Sequence, residues 1–378
     1  MTSGRLSVVI VGAGVAGLEG ALALRALADN RVSITLLSRE SEFVYRPMRV
    51  FEPFAEDVAR RYPLDEIARD IGAEFCQAPF RWLDAEGRCV HTQAGERLRY
   101  DALLLALGAV SRPRLTHALN LDERRLDEQM HGLVQDLEAG YLRRLAFVVP
   151  STVIWPLPIY ELALMTARRA WESQQQVSIV LVTAEDAPLA VFGRAVSDAV
   201  GAVLDEHGIR TIASARCETP APGRLSLRPG SRCLEVDQVV ALPELFGPAT
   251  PGVPKRDGRG FIPIDAYCRV PGLERVWAAG DATESGVKHG GLAAQQADTA
   301  AEGIAALAGA PIRPSKLNPE LHAILVGAER PLYLSARFTG THGSNSQVAT
   351  EAAWSPPTKI VARHLSRYLQ SRDHAPAR

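Results

Sequence analysis

Three glycines, Gly12, Gly14 and Gly17, follow the apolar run Leu6–Val11 at G-x-G-x-x-G spacing. This spacing suits a pyrophosphate. Glycine allows the tight turn and close approach of backbone N–H groups, and the N-terminus of the next helix adds partial positive charge. The acid that commonly holds a ribose at the end of the next strand is missing, because Ser38 and Arg39 stand there. Ser38 can hydrogen-bond a hydroxyl, and Arg39 either meets a phosphate or is solvated. Much later, Gly280-Asp281 ends the apolar run 276–279. The five cysteines, at 76, 89, 217, 233 and 268, form no C-x-x-C pair, so neither a zinc site nor a disulfide framework is expected.

The elements that must position these residues read as α/β. The strand Leu6–Val11, the helix Val15–Ala28 and a strand at 32–37 make one βαβ unit, followed by a hairpin through Gly95 and a buried strand at 102–106. Residues 122–144 are charged and helix-forming, and read as a connector rather than core. A second βαβ pattern follows, with strands at 145–149 and 177–182 around a helix at 158–171. Residues 260–265 suggest a strand with a turn, and 298–309 an Ala-rich helix. The expected architecture is two Rossmann-like dinucleotide-binding domains with a C-terminal interface region. The first domain spans 1–112 and returns at 251–310, a helical connector covers 113–144, the second domain 145–250, and the interface region 311–378.

Length and composition agree with this. The chain has 378 residues, 47% hydrophobic and 22% charged, which suits a large globular core and excludes a disordered or fibrous chain. With 42 Lys plus Arg against 43 Asp plus Glu, the net charge is −1. No overall field draws it to nucleic acid or an acidic membrane. The longest uncharged stretch, 145–160, contains three prolines and is shorter than the roughly 20 residues of a spanning helix. The odd, unpaired cysteines fit a reducing, cytoplasmic setting.

The order of motifs matters more than any one of them: the glycine turn, then Tyr100-Asp101 leading to Ala106, Leu107 and Gly108, then Gly280-Asp281. In this order the sequence resembles the two-dinucleotide-binding-domain flavoproteins, the pyridine nucleotide-disulfide oxidoreductase superfamily, over nearly the whole chain. The resemblance implies FAD, with Asp281 on its ribityl chain. Leu107 departs from the usual threonine. Phe43-Val-Tyr-Arg46-Pro47 and the string from Lys288-His289-Gly290-Gly291-Leu292 to Gln296 look most like the branch of sulfide:quinone reductase, flavocytochrome c sulfide dehydrogenase and type II NADH dehydrogenase. There, Gly290 and Gly291 would open a helix whose N–H groups face the flavin pyrimidine edge. Lys288 and His289 read either as cofactor contacts or as solvated residues.

Two signatures of that superfamily are lost. Aligning Glu161 with the acid that ends the nicotinamide-binding G-x-G-x-x-G-x-E motif puts Ile154, Pro156 and Ile159 on the glycine positions. These side chains cannot offer the close backbone approach a pyrophosphate requires. No redox cysteine stands in the loop 151–158. The expected activity is therefore an FAD-dependent oxidoreductase passing electrons from an unidentified donor to a quinone-like or protein acceptor. An NAD(P)H dehydrogenase with an atypical nicotinamide site and a non-catalytic flavin-binding scaffold or sensor stay open.

The resemblance places Glu161 beside the flavin N5, where such an acid often pairs with a cation, for which Arg46 and Arg49 are the candidates; the other reading is a helix-N-terminal acid held by the dipole. Trp354-Ser-Pro-Pro-Thr-Lys359 is similar to the segment that covers the flavin. Glu161, Arg46 and Trp354 are the expected catalytic residues. Lys359, Arg363 and Arg367 recur at i, i+4 and i+8 opposite Val361, Leu365 and Tyr368, so the tail reads as a basic amphipathic helix. It docks on its own domain or on a second copy in a homodimer, or it makes peripheral contact with a membrane.

Overall fold

A computed structural model describes residues 4–256, 258–339 and 342–374. Two five-stranded sheets, each all parallel, organise it. The first runs Val276–Ala278, Ala102–Leu105, Leu6–Val11, Val32–Ser38 and Glu74–Gln77 across its width. Val8 to Val11 are buried, as expected of a central strand covered on both faces, which reads as a continuous apolar run. The second sheet runs Leu119–Asn120, Gln238–Ala241, Arg144–Val149, Ser178–Thr183 and Ile209–Ile212. These are the two expected Rossmann-like units.

Helices Val15–Ala28 and Gly290–Leu307 pack side by side on the first sheet, and both are rich in Ala and Gly, which permits close approach. Gly20 shows the crowding, because a Cβ there would lie 2.6 Å from a Leu104 methyl. A three-stranded antiparallel sheet, Glu320–Leu325, Leu332–Thr339 and His342–Ala349, covers the second unit from the C-terminal side.

Three expectations change. The stretch 122–144 is no mere connector: its helix Leu126–Glu138 buries Leu126, Met130, Leu133, Val134 and Leu137 in the core around the second sheet. The 260–265 strand is reduced to isolated bridges, Arg256 with Phe261 and Ile262 with Thr283. The basic helix begins only at Leu365, so Lys359 is not on it. Ile360, Ala362, Leu365 and Leu369 pack into the core of the first unit, and Arg372 pairs with Asp70 and Glu66. The apolar side of this tail is thus covered by its own domain. Among the described residues no helix is long and apolar enough to cross a membrane.

Candidate functional site

The three glycines of the first turn do different work. Gly12 has φ +107°, and a Cβ there would lie 2.1 Å from the Ala106 carbonyl oxygen, where the turn crosses the neighbouring strand. A Cβ on Gly17 would lie 1.8 Å from the Gly12 carbonyl oxygen, so Gly17 lets the helix sit on the turn. Gly14 caps that helix, and a Cβ on it would meet nothing within 4 Å. Open space therefore lies over the first-turn N–H groups, where an anion belongs.

Gly280 completes this floor. It has φ +81°, and a Cβ there would lie 3.1 Å from the Ala16 methyl and 3.4 Å from that of Ala293. Its N–H donates to Gln296 Oε1 at 2.7 Å, and Thr283 Oγ1 donates to its carbonyl at 2.8 Å. Next to it stands the Asp281 carboxyl, which no donor among the described residues reaches. Burial pushes its pKa up to about 6, while Lys288 and Arg46 pull it down and Glu123 pushes it up. An acceptor held partly out of water with no donor of its own suits a ligand hydroxyl. Gly108, at φ +69° with open space about it, follows Ala106 at the same edge.

At the far end of the second strand, Ser38 Oγ accepts the Glu40 N–H at 3.1 Å and keeps its own proton for a ligand oxygen. Arg39 turns to Glu40 at 2.9 Å.

The helix Gly290–Leu307 starts from His289, whose Nδ1 accepts the Leu292 N–H at 3.3 Å. Burial drives the His289 pKa down to about 3, so the ring is neutral and Nδ1 is the acceptor. Gly290 and Gly291 open the helix under the tail, and a Cβ on Gly290 would press on Ile360 at 2.9 Å. Lys288 is buried rather than solvated: its Nζ donates to the Thr283 and Ser285 carbonyls and lies 3.9 Å over the Phe261 ring.

Glu161 is 1% exposed, on the buried side of the helix Leu157–Glu172. Its partner is neither Arg46 nor Arg49. Arg46 pairs with Glu123 at 2.9 Å, and Arg49 donates to the Glu123 carbonyl. Instead Lys359 Nζ reaches both Glu161 oxygens, at 2.7 and 2.8 Å, and the Pro47 carbonyl at 3.2 Å. The Val326 N–H adds a third bond to Glu161 at 3.2 Å. Burial pushes the Glu161 pKa up and the Lys359 charge pulls it back. Tyr45 fixes the approach of the tail, since its hydroxyl accepts the Ile360 N–H at 2.9 Å. Trp354 lies apart from this pair, with its ring edge-on to His322 at 5.1 Å and to Tyr333 at 5.6 Å, and its Nε1 donates to the Thr358 carbonyl.

Where a second dinucleotide would lie, the protein fills its own space. Trp155 stands 4.3 Å from the His289 ring and 5.7 Å from that of Phe192, and Ile154 and Ile159 are buried. Glu185, two residues beyond the strand Ser178–Thr183, occupies the place of a ribose-binding acid. Its carboxylate is already engaged by the Val191 N–H at 3.1 Å and Thr183 Oγ1 at 3.4 Å, and burial pushes its pKa up to about 7. Against the same turn lies the strand His342–Ala349, so closely that a Cβ on Gly343 would fall 2.6 Å from the Phe192 carbonyl oxygen. The acid at the end of a buried strand was a signal available in the sequence for Glu185; Lys359 stood in the segment similar to a flavin cover, but nothing in the sequence paired it with Glu161.

The cysteines are all free in the described structure, and Cys89, Cys217 and Cys268 are buried.

A family model described as pyridine nucleotide-disulphide oxidoreductase matches residues 6–299. An NADH dehydrogenase-like protein of Mycobacterium tuberculosis is 25% identical over 290 residues, 72% of each chain. A type II NADH:quinone oxidoreductase of Staphylococcus aureus is 32% identical over 117 residues, 29% of this chain and 28% of that one. Among solved structures, the sulfide:quinone oxidoreductase of the hyperthermophilic bacterium Aquifex aeolicus superposes with a TM-score of 0.80 at 19% identity, covering 92% of this chain and 87% of the other.

Proposed function

Since the chain belongs to the pyridine nucleotide-disulphide oxidoreductase family, we propose that it is an FAD-dependent oxidoreductase that passes two electrons from a small donor other than NAD(P)H to a quinone-like acceptor. The observation that carries this reading is the filled second site: a Glu185 carboxylate already bonded to Val191 and Thr183, and a Trp155 ring packed against Phe192 and His289.

The residues of the first unit fit FAD. Gly12, Gly14 and Gly17 would take the pyrophosphate, Ser38 with or without Arg39 the adenosine ribose, and Asp281 a ribityl hydroxyl. Ala106, Gly108, Arg46, Pro47, Lys288 and Leu292 would border its path, and the Gly290 helix start would hold partial positive charge at the ring. Bound FAD would supply the two-electron chemistry. Asp281→Ala, which deletes a charge-assisted hydrogen bond of roughly 1.5–3 kcal/mol, is expected to purify with most of its flavin lost, as read from absorbance near the flavin band. Full occupancy in that variant would remove Asp281 from the site.

The chain's own contribution to turnover is proton control. Reducing a quinone to a quinol consumes two protons along with two electrons. The Glu161 and Lys359 pair, out of water and hydrogen-bonded at 2.7 Å, can hold one and pass it on. Flat apolar acceptors suit walls such as Trp155 better than a charged dinucleotide does. Use of NADH is favoured instead by the likeness to the NADH dehydrogenase-like protein. Anaerobic titration of the flavin-loaded protein decides between them. NADH and NADPH are expected to bleach the flavin far more slowly than a typical turnover of about 10 per second, and reduced protein is expected to reoxidise with a soluble quinone. Rapid bleaching by NADH would overturn the exclusion, and no reduction by any donor would leave a flavin-binding scaffold.

A further inference from the structure

The segment 121–125 joins the edge strand Leu119–Asn120 to the helix Leu126–Glu138, yet two of its side chains reach over to the first unit. It is set by its own bonds. The Leu121 N–H donates to the Ala241 carbonyl at 2.8 Å, the Asp122 N–H to Gln129 Oε1 at 2.8 Å, and the Arg124 N–H to Asp122 Oδ1 at 3.0 Å. From this platform the Glu123 carboxylate takes Arg46 at 2.9 Å and its main-chain carbonyl accepts from Arg49, while Arg124 takes Glu40 at 3.0 Å. These partners bracket the cofactor path. Glu40 donates its N–H to Ser38 Oγ at the adenosine end, and Arg46 and Glu123 both act electrostatically on Asp281 at the ribityl end.

We propose that residues 122–124 are a charged clasp that closes the FAD cleft and slows release of the cofactor, with the Glu123 carboxylate locked by Arg46, its main-chain carbonyl held by Arg49, and Arg124 locked by Glu40. The inference rests on the FAD reading above. The pairs are well exposed, with side chains between 50% and 69% accessible for the two bridges, so each is weak alone and screened by salt. Presented by adjacent residues of one ordered loop, they resist opening jointly.

The test follows FAD leaving the loaded protein by the rise in free-flavin fluorescence after dilution. Wild-type release is expected to speed up about fivefold between low and high salt, and E123Q/R124Q to release about fivefold faster at low salt with that salt dependence gone. Among the described residues the Arg125 side chain pairs with Glu128 on its own helix and reaches nothing of the first unit, so R125Q is expected to match wild type. FAD bound by wild type but released at equal, salt-independent rates from wild type and E123Q/R124Q overturns the clasp and leaves the FAD reading standing. A wild-type protein that takes up no FAD overturns both.

Discussion

Glu161→Gln is expected to retain its flavin and to lose on the order of a hundredfold in turnover with a quinone, because the amide keeps the shape but cannot carry the proton. The substituted side chain can still accept the Val326 N–H, so the helix and the strand end that it joins are expected to stay in place. Stopped-flow reoxidation separates the effects: reduction of the flavin by its donor should change little, while reoxidation by quinone should slow at every pH where Glu161 supplies the proton. Unchanged reoxidation would reduce Glu161 to a partner of Lys359 in holding the tail.

Lys359→Met is expected to be the most destabilising single change. The side chain of Lys359 is 8% exposed and that of Glu161 1%, so loss of the ammonium strands a carboxylate out of water, a cost of about 3–5 kcal/mol. The cost depends on pH. The folded Glu161 pKa already lies above its ordinary value through burial, and Lys359 is what draws it down. Without that charge it rises further. The folded state then binds the proton more tightly than the unfolded chain, so the variant loses stability as pH climbs from the unfolded carboxyl range through the folded value. Denaturant midpoints should therefore fall most at pH 8 and approach wild type near pH 5. The double variant Glu161→Gln, Lys359→Met removes both charges and should recover most of the loss. A midpoint for Lys359→Met equal to wild type at pH 8 would show that the pair is not buried.

The parts of this molecule legible in its sequence are those set by neighbours along the chain. The strand Leu6–Val11, its glycine turn and the βαβ repeat follow from local periodicity and from the space a Cβ needs. The expected α/β architecture of two Rossmann-like units is the one observed. Lys359 was misread for the converse reason. Its i, i+4, i+8 spacing with Arg363 and Arg367 is a fair helical signal, but its contact with Glu161 spans 198 residues, and no local pattern carries that. The 122–144 stretch misled differently. Its charges face outward while Leu126, Met130, Leu133, Val134 and Leu137 form a helical stripe that the charged composition obscured.

The packing of Leu365 and Leu369 with Val8, Ile10 and Leu24 in a single core has a consequence for biosynthesis. The strand Leu6–Val11 cannot finish its own hydrophobic core until residues more than 350 positions later have emerged from the ribosome, and its sheet waits also for Val276–Ala278. Contacts of such sequence separation form late, so the second parallel sheet, whose strands all lie between 119 and 241, can form before either core closes, since the core around it itself waits for Leu321, Leu325 and Leu334. Shortened or stalled chains are then expected to leave the Ala- and Leu-rich faces of these helices uncovered and open to chaperones.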